Sequence, residues 1–326
     1  MRQTLTLVPL MAALSVAAPA RAADTAPLQV LATVGMVADL AQRVGGGCAE
    51  VEAMMGAGSD PHLYQPTASD VSKLQAAELI LYVHPTLEAR LATVLERFSQ
   101  RTPTLGLVAA TYGPDDLRAA SGGIDPHIWM DVALWSRIVP VIAEAIAEAR
   151  PDCRAMLDAQ AAALGAELDA LHGWVTASIG SIPDGARQLV TAHDAFGYFA
   201  TAYGMDASEG IEGISTESEA SIGDIREVAQ FVAEIRLPAV FVETTINPRT
   251  VEAMVAESRA LGHEVAIGGA LYSDAMGAPG MASGTYIGMI RANTVAITTA
   301  LGGTPPPLPG ALAGWAASFA DELAGQ

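Results

Sequence analysis

Short apolar runs alternate along this chain with longer segments in which apolar residues return every three or four positions, the patterns expected of buried strands and of helices lying against them. Residues 29–34, 51–55, 79–83 and 104–107 read as strands. Residues 36–44, 69–77, 87–98 and 132–149 read as helices, the last with an expected kink at Pro140. The second half repeats the order, with strands expected at 188–191, 205–211, 239–243 and 264–267 and helices at 195–203, 222–235, 248–261 and 285–301. A tail opened by Pro305-Pro306-Pro307 has room for one more short helix. Strands separated by helices of this length form βαβ units, so the expected fold class is α/β: two lobes, each a mostly parallel sheet flanked by helices.

Between the halves, residues 153–179 lack proline and contain only Gly165 and Gly173 as weak helix formers. A single helix of that length spans about 40 Å, the reach of one long rigid linker helix rather than a hinge loop. The expected boundaries are a signal peptide over 1–22, an N-terminal α/β lobe over 23–150, the linker helix over 151–181 and a C-terminal α/β lobe over 182–326.

Residues 1–22 carry Arg2, an apolar run from Leu5 to Ala18, and Ala20-Arg21-Ala22. These are the three parts of a secretory signal peptide, in a run too short for a membrane span. No cysteine follows the run, so the reading is of a soluble chain exported through a cleavable signal, not a lipoprotein. Losing Arg2 and Arg21 takes the formal charge from −19 to −21. Such a surface excludes nucleic acid as a natural partner and suits a cation. The two cysteines, Cys48 and Cys153, would pass through an oxidising compartment; a disulfide and two buried thiols both stay open.

The candidate chemistry is concentrated in few residues. Asp-Pro-His occurs at Asp60-Pro61-His62 and at Asp125-Pro126-His127 in a chain with six histidines, where composition alone predicts about 0.02 such tripeptides. His193 and Asp274 follow apolar runs of the second half. All four lie beyond expected strand ends: His62 after the second strand, His127 after the fourth, His193 after the first strand of the second half, and Asp274 after its last. Ligand groups of open α/β sheets gather there, so two from each lobe would face each other across a cleft. Three imidazoles and a carboxylate suit Zn²⁺, and four protein donors favour holding an ion over reacting at it. A secreted zinc hydrolase is the rival reading, weakened because no HExxH-type helix supplies a general base.

Weaker candidates surround this set. Glu217 and Glu243 are read either as acceptors orienting ligating histidines or as surface carboxylates. His84 is read as a loop histidine with an accessory ligand as the alternative, His172 and His263 as solvent-facing, and Asp131 and Asp194 as helix caps rather than ligands.

The segments Gly58-Ser59-Asp60-Pro61-His62-Leu63-Tyr64-Gln65-Pro66, Asp125-Pro126-His127-Ile128-Trp129-Met130-Asp131, Thr191-Ala192-His193-Asp194-Ala195-Phe196-Gly197-Tyr198-Phe199 and Leu271-Tyr272-Ser273-Asp274 resemble, in order, the signature segments of the metal-binding solute-binding proteins of zinc and manganese ABC importers. Gly213-Ile214-Ser215-Thr216-Glu217-Ser218-Glu219 and Val240-Phe241-Val242-Glu243 are similar to that family too. The resemblance implies metal capture in the periplasm by His62, His127, His193 and Asp274, and delivery to an inner-membrane ABC permease with its ATPase. It also leaves room for a periplasmic metal donor protein, and a monomer is the default expectation. His at the third ligand position is common in zinc-type members, so the resemblance favours Zn²⁺ as the transported ligand. Asp at the fourth, shared with manganese-type members, keeps Mn²⁺ open. The stretch 109–123, which many zinc-type members fill with histidines, has none here.

Overall fold

The structure is a computed structural model that describes residues 26–120 and 123–324. The expected signal peptide therefore lies outside the described residues. Among these residues, no helix is long and apolar enough to cross a membrane.

In the first lobe, β1 (Leu28–Ala32) leads into α1 (Gly35–Gly45), whose buried Met36, Val37, Leu40, Ala41 and Val44 form one apolar face. After β2 (Ala49–Ala53), α2 (Ala68–Ala76) starts at a reciprocal cap: the Asp70 amide donates to Thr67 Oγ1, and the Thr67 amide donates to the Asp70 carboxylate. β3 (Leu79–Tyr82), α3 (Ala92–Ser99), β4 (Thr104–Gly106) and α4 (Leu107–Thr111) follow. A hairpin of β5 (Ala119–Ala120) and β6 (Gly123–Ile124) precedes α5 (Val132–Ser136) and α6 (Val139–Ala149). The main sheet is parallel in the order β2-β1-β3-β4. Its central strands are buried on both faces, which explains their continuous apolar runs.

The single helix α7 (Arg154–Gly180) then carries the chain to the second lobe. It packs on α1, α5 and α6 of the first lobe through residues that include Leu157, Leu164 and Leu168 on its buried stripe. The second lobe comprises β7 (Gln188–His193), α8 (Gly197–Tyr203), β8 (Ala207–Glu212), α9 (Ile222–Glu234), β9 (Ala239–Glu243), α10 (Arg249–Ala260), β10 (Ala266–Leu271) and α11 (Tyr286–Ala300), with α12 (Ala313–Ser318) and α13 (Ala320–Leu323) in the tail. The helices α8 and α11 also pack on α7. β7 pairs with β8 and β9 with β10, both in parallel, and the pairs adjoin along β7 and β9. The strand order of the first lobe is thus repeated, with a topological switch between the two central strands of each lobe.

Several local expectations are corrected. The helix expected over 132–149 is two helices, α5 and α6, rather than one with a kink. The chain turns at Arg137 and Ile138, and Pro140 falls in the first turn of α6, where its missing N–H costs no helical bond. The last strand runs to Leu271 instead of stopping at Ile267, continuing through Gly268 and Gly269 with a shift of register against β9. A Cβ at Gly268 would stand 2.7 Å from the Phe241 ring, so these glycines fit the strand against its neighbour rather than end it. The hairpin β5–β6 and α4 were not expected at all. Their residues carry no clear period.

Cys48 and Cys153 form a disulfide, with Cα atoms 6.3 Å apart and a sequence separation of 105. It ties the turn before β2 to the start of α7, at the end of the first lobe opposite the strand C-termini. Closing so long a loop restricts the unfolded chain, and replacing both cysteines by serine is expected to lower unfolding stability by about 2–5 kcal/mol in urea titrations while metal binding survives. Loss of both together would mean that the bridge also shapes the cleft.

Candidate metal centre

The four predicted side chains meet in one place. His62, His127, His193 and Asp274 each offer a donor atom, and these atoms all lie within 4.8 Å of one another. Three of the segments leave the C-terminal ends of main-sheet strands: His62 follows β2, His193 is the last residue of β7, and Asp274 follows β10. His127 comes directly after β6, so the hairpin rather than β4 delivers it.

Local chemistry explains the repeated tripeptide. Asp60 Oδ1 accepts the amide of His62 at 2.9 Å, and Asp125 Oδ1 accepts the amide of His127 at 3.0 Å. Each aspartate thus closes an Asx turn across its proline, and the histidine is presented at the end of a fixed bend. Asp274 is held through the backbone on its N-terminal side. Asn293 on α11 pairs its side-chain amide with both the N–H and the C=O of Tyr272, at 2.8 and 2.7 Å, and Trp129 Nε1 donates to the carbonyl of Ser273 at 2.9 Å.

The cluster is closed to solvent: relative exposure is 2% at His62, 0% at His127 and His193, and 1% at Asp274. His127 Nε2 stands 3.3 Å from His62 Nε2 and 3.4 Å from His193 Nε2. The Asp274 carboxylate is 3.4 Å from each imidazole, through Oδ1 to His127 and through Oδ2 to His62 and His193. The edge of a tetrahedron is about 1.63 times its centre-to-corner distance, so edges of this length fit donors about 2.0–2.1 Å from a central ion, the Zn–N distance. Both Asp274 oxygens are buried without a hydrogen-bond donor in normal geometry. A buried carboxylate left so exposed to its own desolvation cost calls for a cation.

A second tier of carboxylates aims the imidazoles. His127 Nδ1 lies 2.8 Å from Asp125 Oδ1, and His193 Nδ1 lies 2.6 Å from Glu243 Oε2, while Glu243 Oε1 accepts the His193 amide at 2.8 Å. Each contact fixes the proton on Nδ1 and turns the Nε2 lone pair towards the centre. Trp129 packs edge-on against His127, with ring centroids 5.2 Å apart. Electrostatics sharpen the picture. Burial alone would lower the His127 imidazole, but Asp125 and Asp274 outweigh it and push the group up to about 9. Burial likewise opposes the charge on His193, yet Glu243 and Asp274 hold its pKa well above the ordinary range. His62 is shifted down, chiefly by burial. Asp274 is held well below the usual carboxylate range because His193 and His127 overcome its desolvation.

The surrounding candidates divide. Glu243 is buried and braces His193, whereas Glu217 is half-exposed and pairs with Arg90 at 3.2 Å, away from the ligating imidazoles. His84 makes a local contact of 2.9 Å with Thr86 and stands outside the cluster. Asp131 caps α5 as expected. Asp194 does not cap α8, whose N-cap residue is Phe196. His172 and His263 are half-buried rather than solvent-facing: His172 contacts the Tyr203 hydroxyl at 3.3 Å, and His263 the Leu237 carbonyl at 2.7 Å. The positioning roles of Asp60, Asp125 and Trp129 were missed. The Asp of each repeated tripeptide was the available signal for the first two.

Because a cation must displace protons from imidazoles held above their ordinary range, metal uptake at neutral pH is expected to release at least one proton, and affinity to rise with pH from 6 towards about 9 instead of levelling off just above 6.5. Calorimetry in buffers of different ionisation enthalpy reads this directly; uptake without proton release above pH 7 would contradict it. Glu243→Gln, which keeps the shape but loses the charge behind His193, is expected to weaken metal binding by roughly 10–100-fold.

Comparison with known proteins gives a consistent result. A family model described as zinc-uptake complex component A, periplasmic, matches residues 30–300. The chain is 40% identical over 280 residues to the zinc-binding protein TroA of Treponema pallidum (strain Nichols), covering 86% of this chain and 90% of that protein. It is 37% identical over 275 residues to the manganese-binding lipoprotein MntA of Bacillus subtilis (strain 168), covering 84% and 90%. A solved structure of the periplasmic zinc-binding protein TroA from Treponema pallidum superposes with a TM-score of 0.82 at 39% identity, covering 84% of this chain and 99% of that one.

Proposed function

We propose a zinc-capturing role for this chain, which belongs to the family of periplasmic component A proteins of zinc-uptake complexes. Proteins of that family are the metal-binding components of ABC importers and not enzymes, so the hydrolase reading falls away and a permease with its ATPase are the partners. Within that frame, the proposal is that Zn²⁺ is bound by His62, His127, His193 and Asp274 at the cleft and released to the permease by a monomeric, exported chain, loaded either by the free ion or by a periplasmic donor protein.

The observation that carries the zinc reading is the donor set itself: three imidazoles and a carboxylate, with His127 Nε2 3.3 and 3.4 Å from the other two Nε2 atoms and the carboxylate 3.4 Å from each imidazole. Harder ions prefer more oxygen and longer bonds. One observation favours manganese as the second reading. Both Asp274 oxygens face the imidazoles, so a bidentate carboxylate would give a five-donor shell. The manganese-binding relative keeps that alternative specific.

Competitive titration of metal-stripped protein decides between them. One tightly held Zn²⁺ per chain that excess Mn²⁺ leaves in place is the expected result, and preferential retention of Mn²⁺ would move the transport role to that ion. His193→Ala is expected to weaken Zn²⁺ binding by on the order of a hundredfold, with His84→Ala close to the parent protein. Equal losses at the two positions would remove the ligand assignment.

A further inference from the structure

The four donors are not held alike. His127 and His193 are each braced at Nδ1 by a buried carboxylate, and the residues around them, including Ile128, Trp129, Ala192 and Ala195, are buried as well. No carboxylate braces Nδ1 of His62 among the described residues. The chain also passes from the buried His62 to Leu63, 39% exposed, in a single step. His62 is therefore the donor closest to the surface along its own backbone and the one with the least support from its own lobe.

Its loop is held from both sides of the cleft. Thr216 Oγ1 donates to Asp60 Oδ2 at 2.6 Å, while the other oxygen of Asp60 accepts the His62 amide at 2.9 Å. On the outer side of the loop, Arg90 donates through Nη1 to the Leu63 carbonyl at 3.3 Å and through Nε to Glu217 at 3.2 Å. Thr216 and Glu217 are consecutive residues of the second lobe, in the loop between β8 and α9. Two neighbouring side chains of one lobe thus engage both flanks of His62 in the other, Thr216 directly at Asp60 and Glu217 through Arg90 at Leu63.

We propose that Thr216 and Glu217, engaging Asp60 and Arg90, form a cross-cleft latch that keeps His62 in its ligating position and sets the rate at which the bound ion leaves. This rests on the metal-binding role proposed above. Drawing the 213–220 loop away from the first lobe would free His62 first, leaving His127 and His193 still aimed by their carboxylates. Stepwise loss of a single donor is a lower barrier to release than opening the whole cleft. The half-buried Thr216–Asp60 bond is the stronger half, since a short hydrogen bond to a carboxylate from a buried hydroxyl outweighs a half-exposed ion pair.

The test uses the full exported chain loaded with Zn²⁺ and follows dissociation into an excess of a fluorescent chelator. Thr216→Val, which keeps shape but removes the donor, is expected to accelerate dissociation roughly tenfold, with stoichiometry, association rate and metal-free melting temperature close to the parent. Thr216→Ser, which restores the hydroxyl, should return the slow rate, and Glu217→Gln should give a smaller acceleration. Unchanged dissociation in Thr216→Val, or equal acceleration in the valine and serine variants, would overturn the latch while leaving the metal site standing. Failure of the parent chain to bind Zn²⁺ would instead overturn the metal-binding reading and the latch with it.

Discussion

The structure depends on one buried charge. Asp274 lies at 1% exposure with both oxygens lacking a hydrogen-bond donor, and its surroundings hold it ionised. Uncompensated, an anion in that position would be among the most costly features of the fold. Its nearest polar neighbours are the Nε2 atoms of three histidines, each 3.4 Å away. Burial opposes charge on His127 and His193, but their carboxylate neighbours shift both towards the protonated form, which offsets the charge of Asp274; a divalent cation would offset it more fully and from the centre of the set. Metal binding is on this account an exchange of protons for an ion at a site already shaped, which fits four closed protein ligands better than it fits catalysis.

The rest of the molecule brings that carboxylate and those imidazoles together and keeps them there. The four-stranded sheet of the first lobe and the two adjoining strand pairs of the second, in the same order, end at the cleft, and α7 lies along both lobes as a common spine. Bonds across the cleft then fix the details: Trp129 of the first lobe donates to the backbone beside Asp274, and the hydroxyl of Tyr286 on α11 donates to the Trp129 carbonyl at 2.7 Å. A continuous helix and buried cross-cleft bonds of this kind leave little freedom for a wide hinge motion. Release is then expected to begin at a loop, and the His62 loop is the one least supported by its own lobe.

Much of this is legible in the sequence. The apolar runs located the strands because parallel strands are buried on both faces, and the long glycine-poor stretch located α7. The repeated Asp-Pro-His was the clearest signal for two donors, and strand-end placement supplied the other two. Less legible were features fixed by tertiary contact. Gly268 and Gly269 read as a strand terminus but fit β10 against Phe241. Glu217 and Glu243 look equivalent as carboxylates in family-like segments, yet one is a surface partner of Arg90 and the other the brace of His193. Only burial separates them, and burial is a property of the folded chain. Asp125 and Asp60 were within reach, because an aspartate two residues before a presented histidine is suited to closing an Asx turn.

The most direct test is anomalous diffraction at the zinc absorption edge from crystals of the zinc-loaded protein. The account predicts one strong peak per chain, about 2.0–2.1 Å from Nε2 of His62, His127 and His193 and in contact with the Asp274 carboxylate. A peak elsewhere, with His127 and His193 still facing Asp274 and no ion between them, would contradict it.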